Sequence, residues 1–309
     1  MNDSFIAVEI GGTKLQIARG TADGTITERR RTGVDRAAGA RGIRAAIETT
    51  VREMTAAAPP RAIGAGYGGP VDWETGKICC SYHVKGWSEF PLGEWLHEIA
   101  GVPVFVDNDA NVASLGEAHR GAGAGRNPVF YVTLGSGVGG GLVVNGRIYH
   151  GMKPGEAEIG HIRLNKRGVI VEKRCAGWAV DRKIRRAIAN EPGGILARLV
   201  GATRGGEAKH LAGALDQGDA AAQRILDETA GDLAFALGHA TQLFHPGIIV
   251  LGGGLSLVGE PLRSAVAARV PRYIMSSMQP GPAIALAALR EDAVPVGALI
   301  LAAQGIPAR

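Results

Sequence analysis

The chain has 309 residues, a hydrophobic fraction of 46%, a charged fraction of 20% and a formal net charge of +5. That length allows two domains with a large core, and the composition is ordinary for a soluble globular protein. No apolar run is long enough to span a bilayer, and the basic residues are scattered, so neither a membrane nor a nucleic-acid partner is expected. The chain enters its first strand-like segment without a basic region or cleavage site, so no signal peptide is expected. Three cysteines, with Cys79 and Cys80 adjacent, make no disulfide framework. A reducing, cytoplasmic setting is the simplest expectation.

In chain order, residues 6–10, 15–19 and 25–28 predict three strands, with glycine turns between them. A helix is predicted over Ala40 to Ala57, because Ile43, Ile47, Val51 and Met54 recur at helical spacing and Pro59-Pro60 stops it. Strand candidates follow at 62–67 and 102–106, with a helix at 92–100 between them. A helix from Ala110 to Gly121 precedes a strand at 129–134, a glycine loop and a strand at 141–144, with Asn145-Gly146 as hairpin turn. Helices are predicted at 176–190, 207–215, 220–244 and 295–304, with a buried strand at 247–251. This alternation implies layered α/β architecture. Strand, glycine turn and strand occur twice, at 6–19 and 129–144, which suggests two similar halves facing a cleft.

Three glycine-rich loops follow strands: Gly11-Gly12-Thr13-Lys14, the run Gly135 to Gly141, and Gly252-Gly253-Gly254. Without a Cβ, such a loop can bring backbone N–H groups onto phosphate oxygens, although glycines also serve tight turns alone. Between the first two loops lies Asn108-Asp109-Ala110-Asn111. Three loops with a carboxylate between them suggest a split phosphate cleft and phosphoryl transfer.

Taken together, Glu9-Ile10-Gly11-Gly12-Thr13-Lys14, Gly69-Pro70-Val71-Asp72, Asn108-Asp109-Ala110-Asn111 with Gly116-Glu117, Thr133 to Gly139, Glu158-Ile159-Gly160-His161 and Ile249 to Gly254 resemble the ROK family of sugar kinases. That family belongs to the actin/hexokinase/Hsp70 ATPase superfamily, and the resemblance runs over essentially the whole chain. It implies two ribonuclease H-like domains with an interdomain cleft, residues 1–108 plus 293–309 and residues 109–292. It implies transfer of the γ-phosphoryl group of ATP, with Mg2+, to a hydroxyl (the 6-OH) of a hexose-like acceptor. Asp109 would be the general base, the plain alternative being a helix N-cap. Asn108, Gly69, Glu158 and His161 would meet the sugar. Gly11, Gly12, Thr13, Lys14, Gly135, Ser136 and Gly137 would approach the phosphates, and Gly253 and Gly254 the adenosine. Glu9 would contact Mg2+ indirectly, where the family usually carries Asp. The family commonly dimerises, and a homodimer is carried over as an expectation.

Two departures from the family's pattern matter. Of its zinc-binding segment only His161 and Cys175 remain, and one His with one Cys cannot close a tetrahedral site, so no zinc is expected. Where the family has a sugar-contacting glutamate, this chain has Gly177, followed by Trp178. Asp181 or Glu172 is a candidate replacement carboxylate, with capping or surface roles open for both. Trp87 is read either as lining the sugar pocket or as core. Two alternatives to a plain hexose kinase stay open, a specialised amino-sugar or cyclitol kinase and a non-catalytic sugar sensor. Polyphosphate as donor also stays open.

Overall fold

A computed structural model describes residues 3–11, 14–33, 39–81, 85–153, 155 and 157–307. Its elements in chain order are β1 (Phe5–Ile10), β2 (Lys14–Gly20), β3 (Ile26–Gly33), α1 (Gly39–Ala57), β4 (Ile63–Tyr67), β5 (Val71–Asp72), β6 (Lys77–Ile78), α2 (Leu92–Ala100), β7 (Val104–Asn108) and α3 (Asp109–Arg120). There follow β8 (Val129–Leu134), β9 (Val138–Val144), β10 (Arg147–Ile148), α4 (Glu172–Cys175), α5 (Gly177–Asn190), α6 (Ile195–Val200), α7 (Leu211–Asp216), α8 (Ala220–Phe244), β11 (Ile248–Gly252), α9 (Glu260–Ala267), β12 (Ala283–Leu286) and α10 (Ala293–Gly305).

Two compact units emerge. The first takes residues 1–125, 141–156 and 291–309, and the second 126–140 and 157–290. One five-stranded sheet runs β3-β2-β1-β4-β7, and another runs β10-β9-β8-β11-β12. In the first, β1 pairs antiparallel with β2 and parallel with β4, which pairs parallel with β7. In the second, β8 and β12 flank β11 in parallel. The series β2-β1-β4 and β9-β8-β11 share one plan, as the repeated strand–turn–strand pattern suggested.

β1 is buried at all six positions, as expected for a central strand covered on both faces. On one side of that sheet, Ile43, Ile47, Val51 and Met54 of α1 pack with Ile6, Val8, Ile17 and Trp87. Trp87 is therefore core, only 1% exposed, with Phe90 edge-on to its ring at 5.2 Å. On the other side, Ala298, Leu299 and Ala302 of α10 pack with Phe5, Ala7 and Ala18. Helix α3 lies against α10 through two glycines. A Cβ on Gly297 would fall 1.8 Å from the Val112 carbonyl oxygen, and one on Gly116 would fall 2.3 Å from that of Ala293. This backbone contact fixes the helix whose first residue is Asp109.

The segment read as one helix over 207–215 is instead a 3-10 turn, Glu207–His210, followed by α7. Among the described residues no helix is long and apolar enough to cross a membrane.

Candidate active site

Parallel strands end together, and the loops leaving them collect at one edge of the sheet. In the first unit, β1, β4 and β7 end at Ile10, Tyr67 and Asn108. The Gly68 N–H donates to the Ile10 carbonyl at 3.2 Å and ties the loop after β4 to the end of β1. Asn108 leaves the strand with extended geometry (ψ 143°), and its Oδ1 accepts the Ala110 N–H at 2.9 Å. The N-cap of α3 is thus Asn108, and Asp109 is the first helical residue. The Asn108 Nδ2 donates to the Gly69 carbonyl at 3.0 Å. One N–H of that amide is therefore engaged, which leaves its second for a ligand.

The Asp109 carboxylate sits beside Gly68, where an added Cβ would lie 3.3 Å from Asp109 Oδ2. Asp109 is half-buried. Burial pushes the Tyr67 phenol up, and the nearby negative charge of Asp109 adds to that shift. So the first unit brings Gly69, Asn108 and Asp109 together.

Glu9 is 9% exposed and faces Gln16 across the β1–β2 pair. Gln16 Nε2 donates to Glu9 Oε2 at 2.6 Å and to the Glu291 carbonyl at 2.9 Å, while its Oε1 accepts from Arg31 Nε at 2.7 Å. The glutamate, a methylene longer than the aspartate of the family, is held in place by this amide. Gly11 directly follows β1. Gly12 and Thr13 lie outside the described residues, and Lys14 opens β2 opposite Gly33.

Sequence reasoning passed over Asp107 and His150. Asp107, 3% exposed, accepts the Asn108 N–H at 2.7 Å and Asn111 Nδ2 at 3.0 Å on Oδ1, and meets His150 Nε2 at 2.6 Å with Oδ2. The His150 ring stacks on Trp73, with centroids 4.1 Å apart. A cavity of about 240 Å³ lies alongside, lined in part by Trp73, Asp107, Arg147 and His150. An aspartate directly after the apolar run Val104-Phe105-Val106 was the available signal, since a buried carboxylate requires partners.

In the second unit the loop Gly135–Gly137 joins β8 to β9 and closes with Gly135 N–H donating to the Gly137 carbonyl at 2.9 Å. Gly253 has φ 78°, and a Cβ there would meet the Leu134 backbone at 2.6 Å. Only glycine allows both the left-handed turn and that approach, which brings Gly253 and Gly254 beside the start of the 135–137 loop. The 3-10 turn Ile159–His161 packs against the same hairpin, where a Cβ on Gly160 would fall 2.1 Å from the Val138 carbonyl oxygen. The turn presents Glu158 and His161 with side chains 54% and 67% exposed and His161 Nδ1 3.6 Å from Glu158 Oε2.

The two candidate carboxylates fare differently. Asp181 is 7% exposed and accepts the N–H groups of Gly206 and Ala208 at 2.9 and 2.7 Å. Both its oxygens are used to hold the turn that begins at Glu207, so the structure gives it the capping role rather than a sugar contact. Glu172 lies on the glycine loop, its Oε2 accepting the Val138 N–H at 3.0 Å. Gly177 braces the other end of that loop, its N–H donating to the Gly135 carbonyl at 2.8 Å. Trp178 is 40% exposed, with the Arg182 guanidinium 5.2 Å above its ring.

The residues do not suit the zinc of the family's motif. Cys175 is buried with its thiol directed at the Thr229 carbonyl at 3.7 Å, and burial pushes that thiol up to about 12, away from the thiolate a metal needs. No group of three or more His, Cys, Asp or Glu that could hold a metal ion occurs among the described residues.

Comparison with known proteins agrees with this layout. The family model described as "ROK family" matches residues 5–305. The glucokinase of Thermotoga maritima is 32% identical over 304 residues, covering 95% of each chain. A crystal structure of a ROK family glucokinase from Streptomyces griseus, in complex with glucose and AMPPNP, is 30% identical. It superposes with a TM-score of 0.84 over 98% of this chain and 100% of that one. The ROK hexokinase of Thermus thermophilus is 27% identical with a TM-score of 0.81, covering 98% of each chain.

Proposed function

The chain belongs to the ROK family, and on that premise we propose that it is an ATP-dependent hexose kinase in which Asp109 removes the proton of the acceptor hydroxyl. The observation that carries this reading is the placement of Asp109. Asp109 is the first residue of α3, directly after the Asn108 cap, and its carboxylate stands beside Gly68 in the loop that leaves β4. A general base needs such a fixed, reachable carboxylate.

Asn108, Gly69, Glu158 and His161 are the proposed sugar contacts, and Asp181 is left out because its oxygens hold backbone N–H groups. Hydroxyls are matched by an amide that both donates and accepts, a carboxylate that accepts and an imidazole that can do either. Gly11 and the Gly135–Gly137 loop are the proposed phosphate contacts, joined by Gly12, Thr13 and Lys14 from the sequence pattern. Gly253 and Gly254 are assigned to the adenosine.

Mg2+ would enter with the nucleotide, and its preference for oxygen ligands suits Glu9, whose carboxylate Gln16 orients. The ion would neutralise phosphate charge during transfer. In this reading Asp109 takes the proton of the 6-OH as that oxygen attacks the γ-phosphorus in line with the departing ADP. A cytoplasmic location and a homodimer fit the reading, the latter checked by light scattering.

One observation favours a narrower acceptor. Position 177, where the family has a carboxylate, is a glycine engaged with the Gly135 carbonyl, and a Cβ there would lie 3.0 Å from that oxygen. With one hydroxyl partner missing, an amino sugar or cyclitol becomes a competitive acceptor. Coupled ADP release with Mg-ATP across glucose, mannose, fructose, glucosamine, N-acetylated hexosamines and cyclitols tests both readings. Turnover with a hexose supports the first, and turnover confined to amino sugars or cyclitols supports the second. Sugar binding without turnover on any member would overturn both in favour of a sensor.

A further inference from the structure

The loop assigned to the phosphates already holds an anion of the protein's own. Residues 162–171 form a short hairpin, with Leu164 N–H donating to the Val169 carbonyl at 2.7 Å and Val171 N–H to that of Ile162 at 3.0 Å. This hairpin stands where the family carries a longer metal-binding segment, and it delivers Glu172 to the glycine loop. Glu172 is half-buried, and its Oε2 accepts the Val138 N–H at 3.0 Å. The same oxygen lies 2.8 Å from where a Cβ on Gly137 would stand. Among the described residues no hydrogen bond reaches the N–H of Ser136 or Gly137. A carboxylate oxygen and a phosphate oxygen are the same kind of acceptor for such a cluster of backbone donors.

We propose that Glu172 is an internal competitor for the phosphate loop and sets the affinity of this kinase for its phosphoryl donor. Its carboxylate occupies the Val138 N–H, directly after the loop. An arriving polyphosphate chain must approach that fixed negative charge or displace it from Val138. Donor binding is therefore weaker than the glycine loop alone would give, and the penalty grows with the charge of the donor. Adenosine, which carries no phosphate, does not feel it. The proposal rests on the kinase reading of the glycine loop but not on which sugar is the acceptor.

The variant Glu172→Gln keeps an oxygen that can accept from Val138 and removes only the charge. The expected result is AMPPNP binding, with Mg2+, that is roughly three- to tenfold tighter in E172Q, from one unit charge removed at a few ångströms in a partly solvated site. Isothermal titration should show that ratio shrinking at high salt. Inorganic tripolyphosphate should gain at least as much as AMPPNP, while adenosine and hexose affinities stay unchanged. Glu172→Ala should share the gain, which separates charge from loop geometry. AMPPNP binding that is unchanged or weaker in both variants, or a change confined to hexose affinity, would overturn the proposal and leave the kinase assignment standing. If AMPPNP binds neither the native protein nor E172Q, the phosphate assignment of the loop falls and this proposal with it.

Discussion

Replacing Asp107 tests whether the buried carboxylate next to Asn108 and Asp109, the proposed base, holds them. Its Oδ1 takes the Asn108 N–H at 2.7 Å and Asn111 Nδ2 at 3.0 Å, and its Oδ2 meets His150 Nε2 at 2.6 Å. In Asp107→Ala three groups lose this acceptor at once. A buried donor left unsatisfied costs about 1–3 kcal/mol. The adjoining cavity lets water reach the half-buried members, and loss of a buried charge offsets part of the cost, so the sum settles near 3–5 kcal/mol, as for other broken buried pairs. Asp107→Asn keeps the acceptor for Asn108 and Asn111 and presents an NH2 that His150 Nε2 can accept, so it should cost about 1 kcal/mol. Urea unfolding followed by tryptophan fluorescence reads this well, because Trp73, Trp87 and Trp95 lie in the first unit and only Trp178 in the second. The Ala variant should also lose kcat, since the Asn108 backbone and cap set where Asp109 stands. A loss below about 1 kcal/mol for Asp107→Ala, or equal costs for the two variants, would refute the reasoning.

Single contacts give further outcomes. Gly297→Ala would drive a methyl to 1.8 Å from the Val112 carbonyl oxygen, so α10 and α3 must separate at a cost of about 2 kcal/mol or more, visible as a lower melting temperature. Alkylation of the native protein near pH 8 should label Cys79 and Cys80 and spare Cys175, which is buried with its thiol raised to about 12. Because the folded state keeps that proton while the unfolded thiol ionises near 9, stability from this group falls as pH rises from 9 towards about 12. An alkaline unfolding series on native protein and Cys175→Ser measures it. Metal analysis of purified protein should find zinc far below one per chain, and stoichiometric zinc would contradict the fate assigned to Cys175.

Much of the fold was legible because it depends on local pattern. The apolar run Ile6-Ala7-Val8 and the 3.6-residue spacing of Ile43, Ile47, Val51 and Met54 fix a buried strand and an amphipathic helix without outside help. The misses depend on distant contacts. The 207–215 segment breaks because Asp181, far off in sequence, takes the N–H groups of Gly206 and Ala208 and tightens the first turn. β12 has an alanine-rich sequence of weak strand preference and exists by pairing with β11. Asn108 and Asp109 are both good caps, and only the extended backbone at Asn108 decides between them. The glycine loops and the Asn108-Asp109 strand end were legible as sequence, but the position of Glu172 was not. Its loop contact depends on a shortened hairpin whose path no local rule gives.

The most direct test of the central claim is single-turnover phosphoryl transfer by Asp109→Asn, with hexose and AMPPNP affinities measured alongside. Removal of a general base predicts a rate lower by about 10²–10⁴-fold, while both affinities and the melting temperature stay close to native. A variant that transfers phosphate at near-native rate would contradict the assignment of Asp109 as the base.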